Sequence, residues 1–138
     1  MQKKNELIDT VLDIGRQCIL QRQGMSMKAD ISQVDFVVID MLQIGKRISC
    51  KELAESINLS TSRCSRIVER LQCKEYVERK PNPSDRRAIE VSLTLKGVRL
   101  KKNIENLKSQ CEKRILSNIT PKDIEIVKQG IGILRKSL

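Results

Sequence analysis

Two groups of side chains near the middle of this sequence have the residue types and spacing that contact with a nucleic acid requires. A serine hydroxyl can bond several groups on bases or phosphates, and an arginine can bond O6 and N7 of one guanine together. The first group combines hydroxyls with arginines: Ser60, Thr61, Ser62, Arg63, Ser65, Arg66 and Arg70. The second group is Asp85, Arg86 and Arg87, in a segment rich in turn-forming residues.

The second group predicts a charged tip on a β-hairpin. Asp85 stands two residues before Arg87, where its carboxylate can hold that arginine extended. An oriented guanidinium enters a narrow, electronegative minor groove with less loss of rotamer entropy. The alternative interpretation is that Asp85 is a turn residue and Arg87 a solubilising surface charge.

The first group lies on one face of a predicted helix, residues 61–74. At 100° per residue, the apolar side chains fall on one side and must face the core, whereas Ser62, Ser65 and Arg66 lie on the other. Arg63 and Arg70 flank this outer face. An ordinary exposed amphipathic helix would show the same pattern, because charge on a solvated face is common. The apolar side consists of Cys64, Ile67, Val68 and Leu71.

The elements around these groups predict a winged helix-turn-helix. Ser49 and Glu52 form a capping box for a short helix, and the turn 58–60 leads into the helix just described. Residues 77–80 and 89–95 alternate apolar and polar side chains, which indicates two strands. The fold class is therefore mainly α with a small β-hairpin wing, and with N- and C-terminal dimerisation helices.

Three further helices are predicted at the ends of the chain, together with one in the centre. Residues 5–22 form the first, Ser32 caps an apolar central helix that Gly45 stops, Thr94 caps a long helix, and Thr120 opens the last. The first, long and last helices carry more apolar side chains than a small domain buries. We therefore predict a two-fold homodimer, with intramolecular packing of the three helices as the alternative.

The charge of the chain is uneven. Of its 138 residues, 27 are Lys or Arg and 17 are Asp or Glu, a net charge of +10. Residues 1–59 carry eight of each sign, so the whole excess lies in residues 60–138. A positive segment attracts polyanions through counterion release, although a basic surface is also a common solubility device.

Composition excludes several classes of protein. The chain has no histidine, and its five cysteines include no Cys-x-x-Cys pair, which argues against a metal site, a disulfide framework and histidine-based catalysis. No cofactor-binding loop or catalytic pairing is found, so we predict that the chain is not an enzyme. Neither a signal peptide nor a membrane span is predicted, and we expect a cytoplasmic protein with reduced thiols.

Two cysteines are candidate redox thiols. Cys50 follows the cap residue Ser49 and precedes Lys51, and both the helix start and the ammonium group favour a thiolate. Cys64 is predicted on the buried side of the 61–74 helix, where oxidation would disturb DNA binding. The alternative is that both are small hydrophobic residues.

A longer pattern joins these features. It consists of Leu53-Ala54, then Ser60-Thr61-Ser62-Arg63-Cys64-Ser65-Arg66-Ile67-Val68-Glu69-Arg70-Leu71, Tyr76-Val77-Glu78-Arg79, Asp85-Arg86-Arg87 and Leu93-Thr94-Leu95-Lys96-Gly97. This pattern resembles the multiple antibiotic resistance regulator (MarR) family, over essentially the whole chain. The resemblance implies a dimer of winged-helix domains with a recognition helix in each major groove. It also implies that Arg87 reaches the minor groove, braced by Asp85.

The sequence thus predicts one MarR-type domain over residues 1–138. Residues 32–97 would form the DNA-binding part, and residues 1–24 and 98–138 the dimerisation helices. The predicted function is sequence-specific binding of double-stranded DNA at a pseudo-palindromic operator, with repression as the expected outcome and a small-molecule effector as a further partner. The alternative is a non-specific DNA-binding or protein-interaction module on the same scaffold.

Overall fold

The computed structural model describes the backbone of residues 5–138 and the side chains of residues 5–17 and 30–138. It is mainly helical with a small antiparallel sheet, which confirms the predicted fold class. The elements in chain order are α1 (Glu6–Ala29), α2 (Gln33–Met41), β1 (Ile48–Ser49), α3 (Cys50–Ser56), α4 (Thr61–Cys73), β2 (Val77–Pro81), β3 (Ile89–Leu93), α5 (Leu95–Asn118) and α6 (Pro121–Ser137).

The wing hairpin β2–β3 is joined by a third strand that the sequence did not predict. The strand order is β1-β3-β2, with Ile48 opposite Val91 and Val77 opposite Leu93. The strand β1 has only two residues, too few to show period-two alternation. It ties the start of α3 to the base of the wing, so the helix-turn-helix and the hairpin share one framework.

The caps of the helices match the predictions, but the end of α2 does not. Ser32 and Ser49 each form a full capping box, with Asp35 and Glu52 as their partners. The helix α2 ends at Met41 rather than at Gly45, because Leu42 is already extended, and Gly45 lies in the following turn with a φ of +76°.

The core lies where α2, α3, α4 and β3 meet. Its fully buried side chains alternate with exposed ones at helical spacing on each helix, which is the expected pattern for elements that bury one face. The predicted inner face of α4 is confirmed in full. Fully buried apolar members of this core include Phe36, Ile39, Leu42, Leu53, Val68, Leu71 and Val91.

The start of α5 is bonded to the end of α4. Thr94 N donates a hydrogen bond to Tyr76 O (3.1 Å), and the Thr94 hydroxyl donates to Glu75 O (2.6 Å). The Lys96 ammonium donates to Lys74 O (2.8 Å) and lies 4.5 Å from the centre of the Tyr76 ring. These three hydrogen bonds satisfy the carbonyls of Lys74, Glu75 and Tyr76, which have no partner within α4.

This junction requires glycine at position 97. A Cβ atom there would lie 1.9 Å from the carbonyl oxygen of Tyr76, which is backbone and cannot rotate away. We expect Gly97→Ala to lower the free energy of unfolding by roughly 1–3 kcal/mol, because the first turn of α5 must move away from the Tyr76 backbone. Urea denaturation measures this. Gly130→Ala, where a Cβ meets nothing within 4 Å, is the matched control; equal losses would contradict the prediction.

Cα packing divides the chain into two compact units, one through Lys102 and one from Asn103 to Leu138. In the first unit, α1 exposes Leu7, Ile8, Leu12 and Ile14, each by 48–70%. In the second, the end of α5 and α6 expose a comparable set: Ile115, Leu116, Ile126, Val127, Ile131 and Ile133.

The predicted domain boundaries remain predictions. The helix α1 continues to Ala29, past the predicted limit of 24, and residues 1–4 and the side chains of 18–29 lie outside the described part. No helix among the described residues is long and apolar enough to span a bilayer.

Candidate nucleic-acid interface

The helix α4, the predicted recognition helix, is fixed at its start by Ser60. The Ser60 hydroxyl oxygen accepts a hydrogen bond from Arg63 N (3.2 Å), which makes it the N-cap, and lies 3.4 Å from the Ser62 hydroxyl oxygen. A capped helix start keeps the first-turn side chains in register and satisfies one orphan N–H group. Ser60 is therefore the cap, and Thr61 is the first residue of the helix.

The outward face of α4 carries most of the predicted contact residues. Thr61, Ser62, Arg63 and Arg66 are exposed, and Ser65 is half-buried. Neither Arg63 nor Arg66 takes part in an ion pair within the described part of the chain. Their guanidinium groups are therefore available to a phosphate or a guanine edge.

Arg70 differs from the other arginines of α4. Its guanidinium pairs with Asp35 of α2, a carboxylate with no exposed surface. The other Asp35 oxygen accepts from Ser32 N (2.9 Å), and Ser32 Oγ accepts from Asp35 N (3.2 Å). The arginine side chain is still 45% exposed. Arg70 thus joins α4 to the capping box of α2, and its predicted contact with DNA stays a prediction.

The wing tip is built from two turns stabilised by side chains. Ser84 N donates to Asn82 Oδ1 (2.8 Å), and Arg87 N donates to Asp85 Oδ1 (3.0 Å). Among the described residues, Asp85 makes no ion pair with the Arg87 guanidinium, so it fixes the backbone of Arg87 rather than its side chain. Asp85, Arg86 and Arg87 are all exposed. The tip therefore presents two arginines on a defined loop.

A cavity of about 400 Å³ separates the wing from the two helices. The starts of α3 and α4 form one wall, and the hairpin forms the other. Its charged lining is mainly basic, with Lys51, Arg79 and Arg87 opposed by Asp85. The remaining lining residues are Ser49, Cys50, Thr61, Ser65, Ala88 and Ile89.

The two candidate thiols lie at the α3–α4 contact. Cys64 is fully buried, whereas Cys50 is half-buried. Burial, the charge of the neighbouring Cys50 sulfur and a hydrogen bond to it together raise the pKa of Cys64 to about 12. At neutral pH Cys64 is a neutral thiol. Among the described residues no group of three or more acidic, cysteine or histidine side chains could hold a metal ion.

Two acidic residues have roles that the sequence patterns did not indicate. The sequence patterns assign neither Asp35 nor Asp30 a partner in or near α4. Asp30 pairs with Lys74 at the end of α4 (3.6 Å), and its carbonyl accepts from the same ammonium. Both partners are 35 or more positions away in sequence. A sequence signal did exist for Asp35, since a carboxylate within an otherwise apolar helix must find a partner.

Known proteins share both the sequence pattern and the geometry of this chain. The sequence model of the MarR family matches residues 31–89, from the end of the α1–α2 turn into β3. The chain is 25% identical over 132 residues to the multiple antibiotic resistance protein MarR of Escherichia coli K12, covering 90% of this chain and 92% of that protein. Residues 31–89 therefore match the MarR family, and the chain is similar to MarR over most of its length.

Solved MarR-type structures share its fold. FabT of Streptococcus pneumoniae in complex with DNA has a TM-score of 0.84 at 17% identity, over 96% of this chain and 92% of FabT. The MepR–DNA complex of S. aureus has a TM-score of 0.81 at 16% identity, over the full length of both chains. The chain therefore has the winged helix-turn-helix fold of these structures.

Proposed function

We propose that this protein belongs to the MarR family, binds double-stranded DNA sequence-specifically as a homodimer and represses transcription from a pseudo-palindromic operator. The observation that carries the proposal is the presence, on one framework, of an exposed Ser/Arg face on α4 and an arginine-bearing wing tip. The solved FabT and MepR structures of this fold are bound to DNA.

The two surfaces suit the two grooves. The outward face of α4, with Ser62 and Arg66, would enter the major groove, whose base edges identify all four base pairs. Arg87 on the wing would enter the adjacent minor groove, where narrow segments attract guanidinium groups. The predicted DNA-contacting residues are Ser60, Thr61, Ser62, Arg63, Ser65, Arg66, Arg70, Asp85, Arg86 and Arg87.

The dimer would form through the terminal helices. The exposed apolar side chains of α1, and separately those of α5 and α6, are more than a monomeric protein commonly leaves in water. A two-fold axis would place the two recognition helices at half-sites about 10 base pairs apart. A small-molecule effector and a cytoplasmic location also belong to this proposal.

Selection of binding sites from a random duplex pool tests this function. At near-physiological salt we expect the protein to enrich an inverted repeat, because a dimer reads two symmetric half-sites. In the same selection, Arg66→Ala is expected to lose preference at particular base pairs, by a factor of about 5 to 100 for each bidentate pairing with a base that the substitution removes. Filter binding on the selected site measures the affinities.

Lys46→Ala is the matched control, since it removes one exposed positive charge that is not among the predicted contact residues. A uniform loss with Arg66→Ala across all sequences would assign Arg66 to phosphate contact. Recovery of no motif, with binding that collapses as salt rises, would instead support the second candidate, a non-specific DNA-binding or protein-interaction module. The uneven charge of the chain is the observation that favours this candidate.

A further inference from the structure

Arg79 is a cation on the inner face of the wing. It stands on β2 opposite Val91 of β3, and directly opposed residues of an antiparallel pair project from the same face of a sheet. Val91 has no exposed surface, so this shared face is the one turned toward the core. Lys80, the next residue of β2, is opposite Glu90 and projects from the outer face. Arg79 therefore points into the cavity between the wing and the two helices, which it lines.

The charge of Arg79 has no partner within the described part of the chain. Although the side chain is half-buried, its guanidinium takes part in no ion pair or hydrogen bond there. A partly desolvated guanidinium favours an anion, and its planar fork fits two oxygens of one phosphate. Lys51 and Arg87 line the same cavity, and Asp85 is the one carboxylate among the lining residues, so the lining has an excess of positive charge.

The two surfaces that would bind DNA lie on either side of this cavity. The start of α4 forms part of one wall, and the wing tip with Arg87 forms the other. In duplex DNA a major groove and the minor groove beside it are separated by one sugar-phosphate strand. A protein that places α4 in the first groove and Arg87 in the second must accommodate that strand between them. The space between them is the cavity into which Arg79 points.

We propose that Arg79 binds a phosphate of the strand that separates the two grooves, with Lys51 contributing to the same contact from the opposite wall. This inference rests on the proposed function and deepens it. The hydroxyls of α4 divide accordingly: Thr61 and Ser65 line the cavity and face the strand, whereas Ser62 does not line it and faces the bases. Phosphate contacts fix the position of a protein on the duplex and carry no sequence information directly. Arg79 thus sets where α4 lies on DNA, not which bases it prefers.

Binding of the full chain to its selected operator, measured over a range of salt concentrations, tests this contact. Arg79→Gln removes the charge and keeps a polar side chain. We expect a loss of affinity of about tenfold or more, uniform across operator variants, and a slope of log K against log salt that is smaller by roughly two for the dimer. Lys80→Gln is the matched control, since Lys80 is the neighbouring cation on the outer face and pairs with Glu78 (3.7 Å). It should change the affinity by less than about twofold and leave the slope unchanged.

Single neutral phosphates locate the contact on the DNA. A methylphosphonate replaces one charged phosphate oxygen by a methyl group, and operator duplexes that carry it at each position of one half-site are compared. At one or two adjacent positions between the two grooves, we expect the wild-type chain to lose about fivefold in affinity and Arg79→Gln less than about twofold. Lys51→Gln should be less sensitive than the wild-type chain at the same positions. A free phosphate ion in the cavity cannot produce such a dependence on position.

Each comparison is made within one protein, so a partial loss of stability in a variant does not affect it. Equal sensitivity of Arg79→Gln and the wild-type chain at every position would overturn the assignment of Arg79. Equal sensitivity of Lys51→Gln at the expected positions would remove Lys51 from the contact.

The outcomes separate this inference from the proposed function. Recovery of an operator, with unchanged affinity and salt slope for Arg79→Gln, would overturn the inference and leave the function standing. Recovery of no motif would contradict sequence-specific binding; a smaller salt slope for Arg79→Gln on a random duplex would then leave the phosphate contact standing, and an equal slope would remove it. A wild-type chain that binds no duplex would overturn both.

Discussion

Arg70→Ala is expected to lower the free energy of unfolding by about 2–3 kcal/mol, although it removes a side chain that is 45% exposed. The reason is Asp35, which has no exposed surface and would be left as a buried carboxylate with only the cap bonds of Ser32. Breaking a fully buried pair costs roughly 3–5 kcal/mol, and the exposure of Arg70, which lets water enter, lowers that figure. Chemical denaturation measures the change.

A double-mutant cycle separates the interaction between Arg70 and Asp35 from the effect of removing one charge on the free energy of unfolding. Asp35→Asn keeps the shape of the capping residue and leaves Arg70 hydrated, so it should cost less than Arg70→Ala. The double variant should cost less than the sum of the two, because the uncompensated carboxylate is gone. Arg66→Ala, on the exposed face of the same helix, should change stability by less than about 0.5 kcal/mol. Additive losses in the cycle would show that Arg70 acts independently of Asp35.

Arg87→Ala is expected to weaken binding to the selected operator by a factor of about 10 to 100 while leaving stability unchanged. The side chain is exposed, and its backbone is fixed by the bond from Arg87 N to Asp85 Oδ1. Loss of a guanidinium in the minor groove weakens each half-site of the dimer. Fluorescence anisotropy on the operator duplex measures the affinity, and thermal unfolding checks the fold.

Arg86→Ala is the matched comparison, since it removes the same charge one residue earlier on the same loop. Arg86 does not line the cavity, and the Asp85 carboxylate bonds the backbone of Arg87 instead. We expect Arg86→Ala to reduce the affinity for the operator by a factor several-fold smaller than Arg87→Ala does. Equal losses would mean that the wing contributes charge alone, without a specific position for either arginine.

Local patterns predicted most of the DNA-binding half from sequence. The inner face of α4 follows from helical spacing, and the caps Ser32, Ser49 and Thr94 follow from hydroxyls that precede apolar runs. Such features depend only on neighbours in sequence, so the chain reveals them without coordinates.

The features that sequence did not reveal depend on distant residues. The pairing of Arg70 with Asp35 joins positions 35 apart, and that of Lys74 with Asp30 joins positions 44 apart. The strand β1 exists because β3 offers it a partner, not because two residues have a strand pattern. Asp85 was expected to hold a side chain and instead bonds a backbone N–H, a choice that the turn geometry makes.

The bonds between the start of α5 and the end of α4 have a mechanical consequence. Thr94 and Lys96 donate hydrogen bonds to carbonyls just beyond the end of α4, and Gly97 lets the first turn of α5 approach the Tyr76 carbonyl without a side chain between them. A contact made by backbone atoms alone leaves the two segments little room to move independently. We therefore expect a tilt of the first turn of α5 to move the segment that follows α4 with it.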